Sequence, residues 1–414
     1  MPSVTYILVI TLLSTALVTP YLLYPLLVRL LRPSRTKTAT PELGPVPAVS
    51  VLIPAHNEAA RVEQKLQDTL ALSYPRERLE VLLASDGSDD NTAAIGRTYE
   101  NAGVRVFELS ERGGKLAALK HLLGQARGEL VLFTDVGASL PANVLEELVS
   151  EFADPSVVVA MPRYVARGKE GAAVADGAYW GRETRSKALQ AERDMLLGAH
   201  GACYLMRRDA IAEVPADTIH DDFVWPMLAR AAGGRIVYRP DLVVSDDAPT
   251  RLSTIFERTA RMAHGNLQML FRYRSLMRPR RGRIAMSLIG HKLLKTLGPL
   301  FILGLVTSVN LGALSAPSLV PLAVAGDLLL IALAAATAWR VFGGSLPGVL
   351  ELGVHALVAQ AAVAAGIARF AFNSDGTRWR RPPENEVLAL DQPALPPRSV
   401  RFIKRTVDIL GGSV

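Results

Sequence analysis

The sequence predicts an α/β domain built on a mixed, mainly parallel sheet and held between α-helical transmembrane segments at both ends. Three observations carry this. From Val49 to about residue 250, short β-branched runs alternate with longer helical stretches, the pattern of a parallel sheet wrapped by helices. Half of the 414 residues are apolar, and the excess lies at the two ends while the middle has ordinary globular composition. Several apolar runs also end abruptly in carboxylates, most clearly LVLFTDVGASLP at Leu130–Pro141, where Asp135 closes a buried strand. The C-terminal edge of such strands is where open α/β sheets bind ligands.

The elements follow in order. Tyr6 to Leu31 contains an apolar run of about the 20 residues that cross a bilayer. Residues 1–5 carry no Lys or Arg and no small-residue cleavage site follows, so residues 1–31 read as an uncleaved anchor rather than a signal peptide. Arg29, Arg32, Arg35 and Lys37 place its C-terminal end in the cytoplasm. Residues 32–48, rich in Pro, Thr and small residues, read as a linker. Strands are expected at 49–54, 79–84, 104–109, 130–135, 157–163, 201–206 and 235–239. Helices are expected near 58–72, 90–102, 115–127, 141–153, 176–191 and 223–232, giving one domain over 49–250.

Residues 251–283 differ in kind. Leu252, Ile255, Phe256, Met262, Leu267, Leu270 and Phe271 recur at helical spacing and six arginines between Arg272 and Arg283 crowd the end. An amphipathic helix in the membrane interface is expected there, with a solvated charged helix as the alternative. The apolar stretches 296–314, 319–339 and 346–372 are each long enough to span, making 284–372 a C-terminal membrane region before a tail at 373–414. Glu351, His355 and Gln360 in the third should face protein rather than lipid. Three crossings would put the tail outside, whereas Arg369, Arg378, Arg380 and Arg381 argue for inside; a re-entrant stretch would reconcile the two.

Composition narrows the chemistry. The single cysteine, Cys203, excludes an intrachain disulfide and any multi-cysteine metal site, and fits a reducing compartment. The formal charge of +7 comes from basic residues clustered beside apolar segments, which points to anionic lipid headgroups rather than nucleic acid. Acids at the ends of parallel strands suit a ligand rich in hydroxyls and phosphates. Asp86 follows the strand at 79–84 and opens a Gly-Ser-Asp-Asp-Asn loop that should cap the next helix, and capping alone would account for Asp89 and Asp90. Lys115 follows two glycines that let backbone approach a ligand, and its ammonium could meet a phosphate, although GGK is not the phosphate loop GxxxxGK[ST].

VSVLIPAHNE, ASDGSDDNT, GGKLAALK, FTDVGA, GAHGACYLMRRD, HDDF and RTARMAHGNLQ follow one another in a recognisable order. Over residues 49–277 the chain resembles the membrane-embedded inverting family-2 glycosyltransferases, the group containing cellulose, chitin and hyaluronan synthases. The resemblance implies a GT-A-type nucleotide-sugar-binding domain. It sets Pro54, Ala55, Asn57, Glu58 and Asp86 around the nucleotide base, with Lys115 toward phosphate. It makes Asp135 the first acid of the DxD motif, beside ribose and diphosphate and a ligand for Mg²⁺ or Mn²⁺. The second acid falls on Gly137, which leaves Asp135 a poorer metal site by itself. Gly198–Tyr204, including His200 and Gly201, resembles the acceptor-side loop. HDDF matches the TED-type motif, with Asp222 on the catalytic base and Asp221 beside it. Direct displacement at an anomeric carbon needs one carboxylate to take the acceptor proton while the leaving diphosphate is neutralised, and Asp222 suits the first task. The alternative is that both acids merely begin a helix. RTARM stands where the family has QxxRW: Arg261 would meet the diphosphate, Arg258 replaces the glutamine, and Met262 replaces a tryptophan that packs on the acceptor sugar. Asn266 and Gln268 could add polar contacts or serve only the surface.

The implied enzyme is an integral membrane protein of a bacterial inner membrane with its catalytic domain in the cytoplasm. It would transfer a sugar, with inversion, from a nucleotide donor expected to be UDP-linked to a growing polysaccharide or a lipid-linked acceptor, with exopolysaccharide synthesis the expected role. Single addition to a lipid competes with processive synthesis, because of Met262 and the few membrane segments; a polysaccharide pore would require a second copy of the chain or a secretion partner. A non-catalytic nucleotide-sugar-binding subunit is the other alternative, resting on Gly137.

Overall fold

A computed structural model describes residues 2–33, 46–168, 172–248, 251–341, 346 and 348–372. Most of the expected linker and the whole of the tail, with Arg378, Arg380 and Arg381, lie outside the described residues. Two N-terminal helical pieces, α1 (Pro2–Val18) and α2 (Tyr24–Leu30), are joined through a π turn at Thr19–Leu23 that contains Pro20. Proline has no N–H for the α ladder, so the wider turn falls where that bond is lost.

The expected α/β alternation follows. β1 (Val49–Ala55) leads to α3 (Ala59–Leu70), β2 (Leu79–Asp86) to α4 (Thr92–Arg97), and β3 (Val104–Leu109) to α5 (Lys115–Gln125). After β4 (Leu130–Thr134) come α6 (Val144–Ser150), β5 (Val157–Arg167), α7 (Ala172–Glu192), β6 (Cys203–Arg207), α8 (Asp221–Ala231) and β7 (Arg235–Asp247). The helix expected at 90–102 stops at Arg97 and continues as a 3₁₀ turn, Glu100–Ala102, closed by Gly103 at φ +92°. The seven strands form one sheet in the order β3-β2-β1-β4-β6-β5-β7. β1 to β4 are mutually parallel, with Val51 opposite both Val81 and Leu132. β6 runs antiparallel to β4 and β5, and β7 runs parallel to β5.

Alternating side chains feed two cores, as the period of two along a strand requires. Leu52, Leu82, Val131 and Phe133 pack on α5 and α8 through Leu119, Phe223 and Trp225. Val51, Ile53, Leu83 and Leu132 pack on α3 and α6 through Val62, Leu66, Leu145 and Leu148. These positions are almost wholly buried. Each such side chain contributes about 1.5–3 kcal/mol relative to exposure. β5 and β7 run well past their expected ends, to Arg167 and Asp247, and this extension carries β7 to the loop after β4, where Ser139 N donates to Ser245 O at 2.8 Å.

The remaining helices are α9 (Leu252–Arg272), α10 (Arg283–Ser287), α11 (Leu294–Thr296), α12 (Gly298–Ala313), α13 (Val320–Val341) and α14 (Gly348–Ala371). Among the described residues, three stretches are long and apolar enough to cross a membrane: Val4–Leu30, Pro317–Arg340 and Leu350–Ala371. A fourth candidate, Arg283–Thr296 with Gly298–Ala313, is bent by 58°; α12 fills the stretch expected at 296–314, and the bend lies at its start. The break coincides with Gly298-Pro299, and proline at the start of α12 cannot extend the preceding ladder. Large apolar side chains on these helices, such as Leu12, Leu303, Leu328 and Ile331, point outward. The polar residues of α14 face protein: Arg340 Nε meets Glu351 Oε1 at 2.9 Å, and Gln360 lies against Gly298. Helix α9 packs closely on α14, where a Cβ at Gly366 would stand 2.3 Å from Ala260 O, and Arg369 pairs with both carboxylate oxygens of Glu257 at 2.9 Å.

Candidate active site

The carboxylates converge at the C-terminal edge of the sheet. Asp135 follows β4 directly, and Lys115, at the first turn of α5, reaches its Oδ1 at 2.5 Å. The aim of Lys115 begins at Asp86. Its two carboxylate oxygens accept N–H bonds from Gly113 at 2.8 Å and Gly114 at 2.7 Å. Gly114 sits at φ +89°, a conformation that favours glycine, so the Gly-Gly pair turns the chain and delivers Lys115 to the site.

Gly201 is the floor of the cluster. A Cβ there would stand 2.9 Å from Lys115 Nζ, 3.3 Å from Asp135 Oδ2 and 3.4 Å from Asp222 Oδ2. Its N–H donates to Asp222 Oδ2 at 2.9 Å. Asp221 and Asp222 do begin α8, where the helix dipole favours negative charge. The helix nevertheless gives Asp222 a second bond that sequence reading missed. Pro226 has no N–H to offer the carbonyl four residues back, and that carbonyl, Asp222 O, accepts Ala199 N–H at 2.9 Å. The loop holding His200 and Gly201 is thus docked on Asp222 through both backbone and side chain.

Electrostatics separate the two adjacent acids. Burial, together with the negative charges of Asp222 and Asp135, pushes the Asp221 carboxyl up to about 6 against the pull of Lys115. Burial also acts upward on Asp222, but His220, Lys115, His200 and Lys187 outweigh it and hold that carboxyl below the ordinary range. One acid is therefore kept ionised beside one that is easily protonated, a division found where acid–base work is done. Burial pushes His200 well below its ordinary value, with Lys187 adding to the effect, and leaves a neutral imidazole. Its ring stacks on Tyr164 with centroids 3.7 Å apart, and its Nδ1 accepts Ala202 N–H at 3.1 Å.

On the other flank, the ends of β1 and β2 are cross-linked. Pro54 and Ala55 end β1, and Asn57 follows at φ +53°, its Oδ1 accepting Asp89 N–H at 2.9 Å. Glu58 is buried, and its N–H donates to Thr92 Oγ1 at 2.8 Å. Asp90 accepts from Ala59 N at 3.0 Å and Thr92 N at 2.9 Å, so it does cap as expected. Lys65, buried beneath the sheet edge, donates to Thr134 Oγ1 at 2.7 Å and Ala138 O at 2.8 Å, bracing a side chain before Asp135 and the backbone after it. Burial lowers its ammonium to about 8. A lysine within an amphipathic helical run looks solvated in sequence, and only the sheet edge above it reveals its use.

Arg261 on α9 lies among the charges of Asp222, Asp221 and Asp135, with Arg258 beside it. Gly265, one turn on, lets His220 lie against the helix: a Cβ there would fall 2.0 Å from the ring. Met262 is half-buried on the same helix, Asn266 donates to Thr296 Oγ1 at 3.3 Å, and Gln268 accepts Ile219 N–H at 3.1 Å. Lys187 and Glu183, on α7, went unnoticed in sequence. Lys187 Nζ donates to Ala199 O at 2.8 Å, and Glu183, paired with Lys295 and near His291, joins the domain to the bent C-terminal helices. Together with Pro162, Tyr164, Thr184, His200 and Tyr238, these two line a small pocket. Gly137 is packed: a Cβ there would stand 2.5 Å from Asp246 Oδ1. Among the described residues, no group of three or more His, Cys, Asp or Glu side chains could hold a metal ion by itself.

Comparison with known proteins agrees with this geometry. Residues 50–214 match the family model described as glycosyl transferase family 2. The chain is 26% identical over 271 residues to an N-acetylglucosaminyltransferase of Rhizobium meliloti (strain 1021), covering 61% of this chain and 63% of that protein. It is also 26% identical over 275 residues to an N-acetylglucosaminyltransferase of Bradyrhizobium diazoefficiens, covering 62% and 56% of the two. The chain thus spans somewhat less than two thirds of these relatives. Among solved structures, mannosyltransferase PcManGT from Pyrobaculum calidifontis, in complex with GDP-Man and Mn²⁺, superposes with a TM-score of 0.65 at 21% identity, covering 90% of this chain and 100% of that one. The likeness extends beyond the matched domain to most of the chain, and what it shows is the GT-A-like fold. The convergent acids at the sheet edge and the seven-stranded mixed sheet thus lie in a GT-A-like fold, whose residues 50–214 are similar to glycosyl transferase family 2.

Proposed function

We propose that the chain is a membrane-bound inverting glycosyltransferase that moves a sugar from a nucleotide sugar to a growing polysaccharide or lipid-linked acceptor at the cytoplasmic face. The observation that carries this is Asp222: a half-buried, ionised carboxylate held by Gly201 N–H, facing Asp135 and Lys115 across the space above Gly201. In this reading Asp222 takes the proton of the acceptor hydroxyl as that oxygen attacks the anomeric carbon. Lys115 and Arg261 meet the charge growing on the leaving diphosphate. The β1 and β2 loops, with Pro54, Ala55, Asn57 and Glu58, hold the base, and Asp86 sets the Gly-Gly turn that aims Lys115.

Divalent Mg²⁺ or Mn²⁺ fits beside Asp135, whose carboxylate is 38% exposed and is a hard oxygen donor. When bound, the ion would neutralise the diphosphate. PcManGT was crystallised with Mn²⁺, and the curated relatives make UDP-N-acetylglucosamine the first donor to try, with GDP-mannose the second. Single addition is favoured over processive synthesis by Met262, which offers the acceptor no aromatic face. The full chain in lipid nanodiscs should be given UDP- and GDP-sugars while released nucleotide and product size are read together. One donor should give release with a short, lipid-linked product; long polymer would select the processive alternative, and no release from any donor would overturn the reading in favour of a binding subunit.

A further inference from the structure

We infer that Asp246, at the far end of β7, supplies the second carboxylate of the divalent-cation site, in place of the acid that Gly137 lacks. This rests on the reading of Asp135 as a cation ligand for a bound nucleoside diphosphate. The observation is steric. A Cβ built on Gly137 would meet Asp246 Oδ1 at 2.5 Å and Oδ2 at 3.0 Å, so the carboxylate occupies the space that a side chain at 137 would take. Gly137 lies two residues beyond Asp135, so an acid there would present its carboxylate on the same loop. In this chain a carboxylate reaches that place from another strand.

The route is built into the fold. β4 and β7 are not neighbours in the sheet, yet the end of β7, still paired with β5, also bridges the loop after β4 through Ser139 N to Ser245 O at 2.8 Å. The bridge fixes the residue next to Asp246 against the residue two beyond Gly137. Asp247 N–H donates to Asp246 Oδ1 at 2.7 Å and orients the carboxylate further. Buried Lys65 feels the charges of both Asp135 and Asp246, as it would if the two acids lie on one side of the loop it braces. Two carboxylates, two diphosphate oxygens and water make an ordinary oxygen shell for Mg²⁺ or Mn²⁺, whereas Asp135 by itself makes a poor one. A glycine at 137 is then a requirement, because any larger side chain would displace Asp246.

The test is Mn²⁺ affinity, read by electron paramagnetic resonance of the full chain in nanodiscs saturated with UDP or GDP, with nucleotide affinity measured separately without metal. Asp246→Asn keeps the shape and removes the charge. It should weaken Mn²⁺ binding by about tenfold or more, since even outer-shell losses cost about 10–100-fold, and should leave metal-free nucleotide binding as in the wild type. The exchanged pair, Gly137→Asp with Asp246→Gly, should recover Mn²⁺ binding, and it decides the matter should the single variant fail to fold. Wild-type Mn²⁺ affinity in Asp246→Asn, or no recovery in the exchanged pair, would overturn the inference while nucleotide binding keeps the functional reading intact. Failure of the wild type to bind either nucleotide would instead remove the functional reading itself, and the inference with it.

Discussion

The two flanks of the site are stabilised in different ways. On the flank formed by β1, β2 and the start of α5, polar side chains are tied to backbone: Asp86 to Gly113 and Gly114, Asp90 to Ala59 and Thr92, Lys65 to Ala138. On the flank formed by α7, α8 and α9, charged groups face one another across elements: Asp222 with Lys187, Arg261 with Asp221, Glu183 with Lys295. Backbone-tied groups hold shape, and losing one leaves a buried partner unsatisfied. Groups balanced by charge hold protonation states, and losing one alters chemistry before it alters fold. The flank of β1, β2 and α5, proposed for the nucleotide, is therefore held mainly through backbone, and the flank of α7, α8 and α9, proposed for the acceptor, mainly by charge; the latter is joined to the membrane-spanning candidates through Glu183 and Arg369.

Asp222→Asn gives the strongest test of that contrast. Sugar transfer should fall by about 10²–10⁴-fold while nucleotide-sugar binding by calorimetry and the melting temperature stay near wild type; a large loss of stability would show that Asp222 belongs to the scaffold instead. Gly201→Ala should come next. Its methyl group would press on Lys115, Asp135 and Asp222 at once, and a displacement of this kind costs about 10²-fold in turnover. Pro226→Ala returns an N–H to α8 that competes with Ala199 for Asp222 O. One weakened hydrogen bond of about 0.5–1.5 kcal/mol predicts a loss in kcat of at most about tenfold, with a melting temperature equal to or above wild type.

On the other flank the expected readout is reversed. Lys65→Met removes the donor from Ala138 O and should cost about 1–3 kcal/mol in denaturant unfolding of the domain. A loss of activity with stability unchanged would erase the distinction between the flanks. The smallest effect is a pH slope. Asp221 titrates near 6 in the folded protein, above the value of about 4 for an unfolded aspartate, so between these values the folded state binds more protons. Its contribution to stability is present below about pH 4 and is lost as the pH rises toward 6. Asp221→Asn should remove that fall, seen as a flatter melting temperature between pH 4 and 6.

What could be read in the chain and what could not divides by distance along it. All seven strands stand close to where alternation placed them, because each strand's pattern is local, and β1, β2 and β4, buried on both faces, read as nearly continuous apolar runs. Asp135, Lys115 and Asp222 could be singled out because each follows its own punctuation: a strand end, a Gly-Gly turn, a helix start. Asp246 resembled any acid after a strand, since the length of β7 depends on its partner β5 rather than on its own residues. Lys65, Lys187 and Glu183 resembled solvated helix positions, because what buries each is another element more than ten residues away in sequence. Pro226 carries a signal that could have been used, since a proline five residues into a helix leaves one identifiable carbonyl to be satisfied elsewhere.

By itself the sequence determined the α/β alternation, the apolar segments at both ends and the acids at the sheet edge, all of which follow from short-range periodicity and strand termini. Only the tertiary structure decided that Gly201 brings Lys115, Asp135 and Asp222 to one point, that a carboxylate from β7 fills the space at Gly137, and that the helical stretch before α13 bends by 58°. Those features depend on residues far apart in the chain, whose separations are set by packing rather than by local preference.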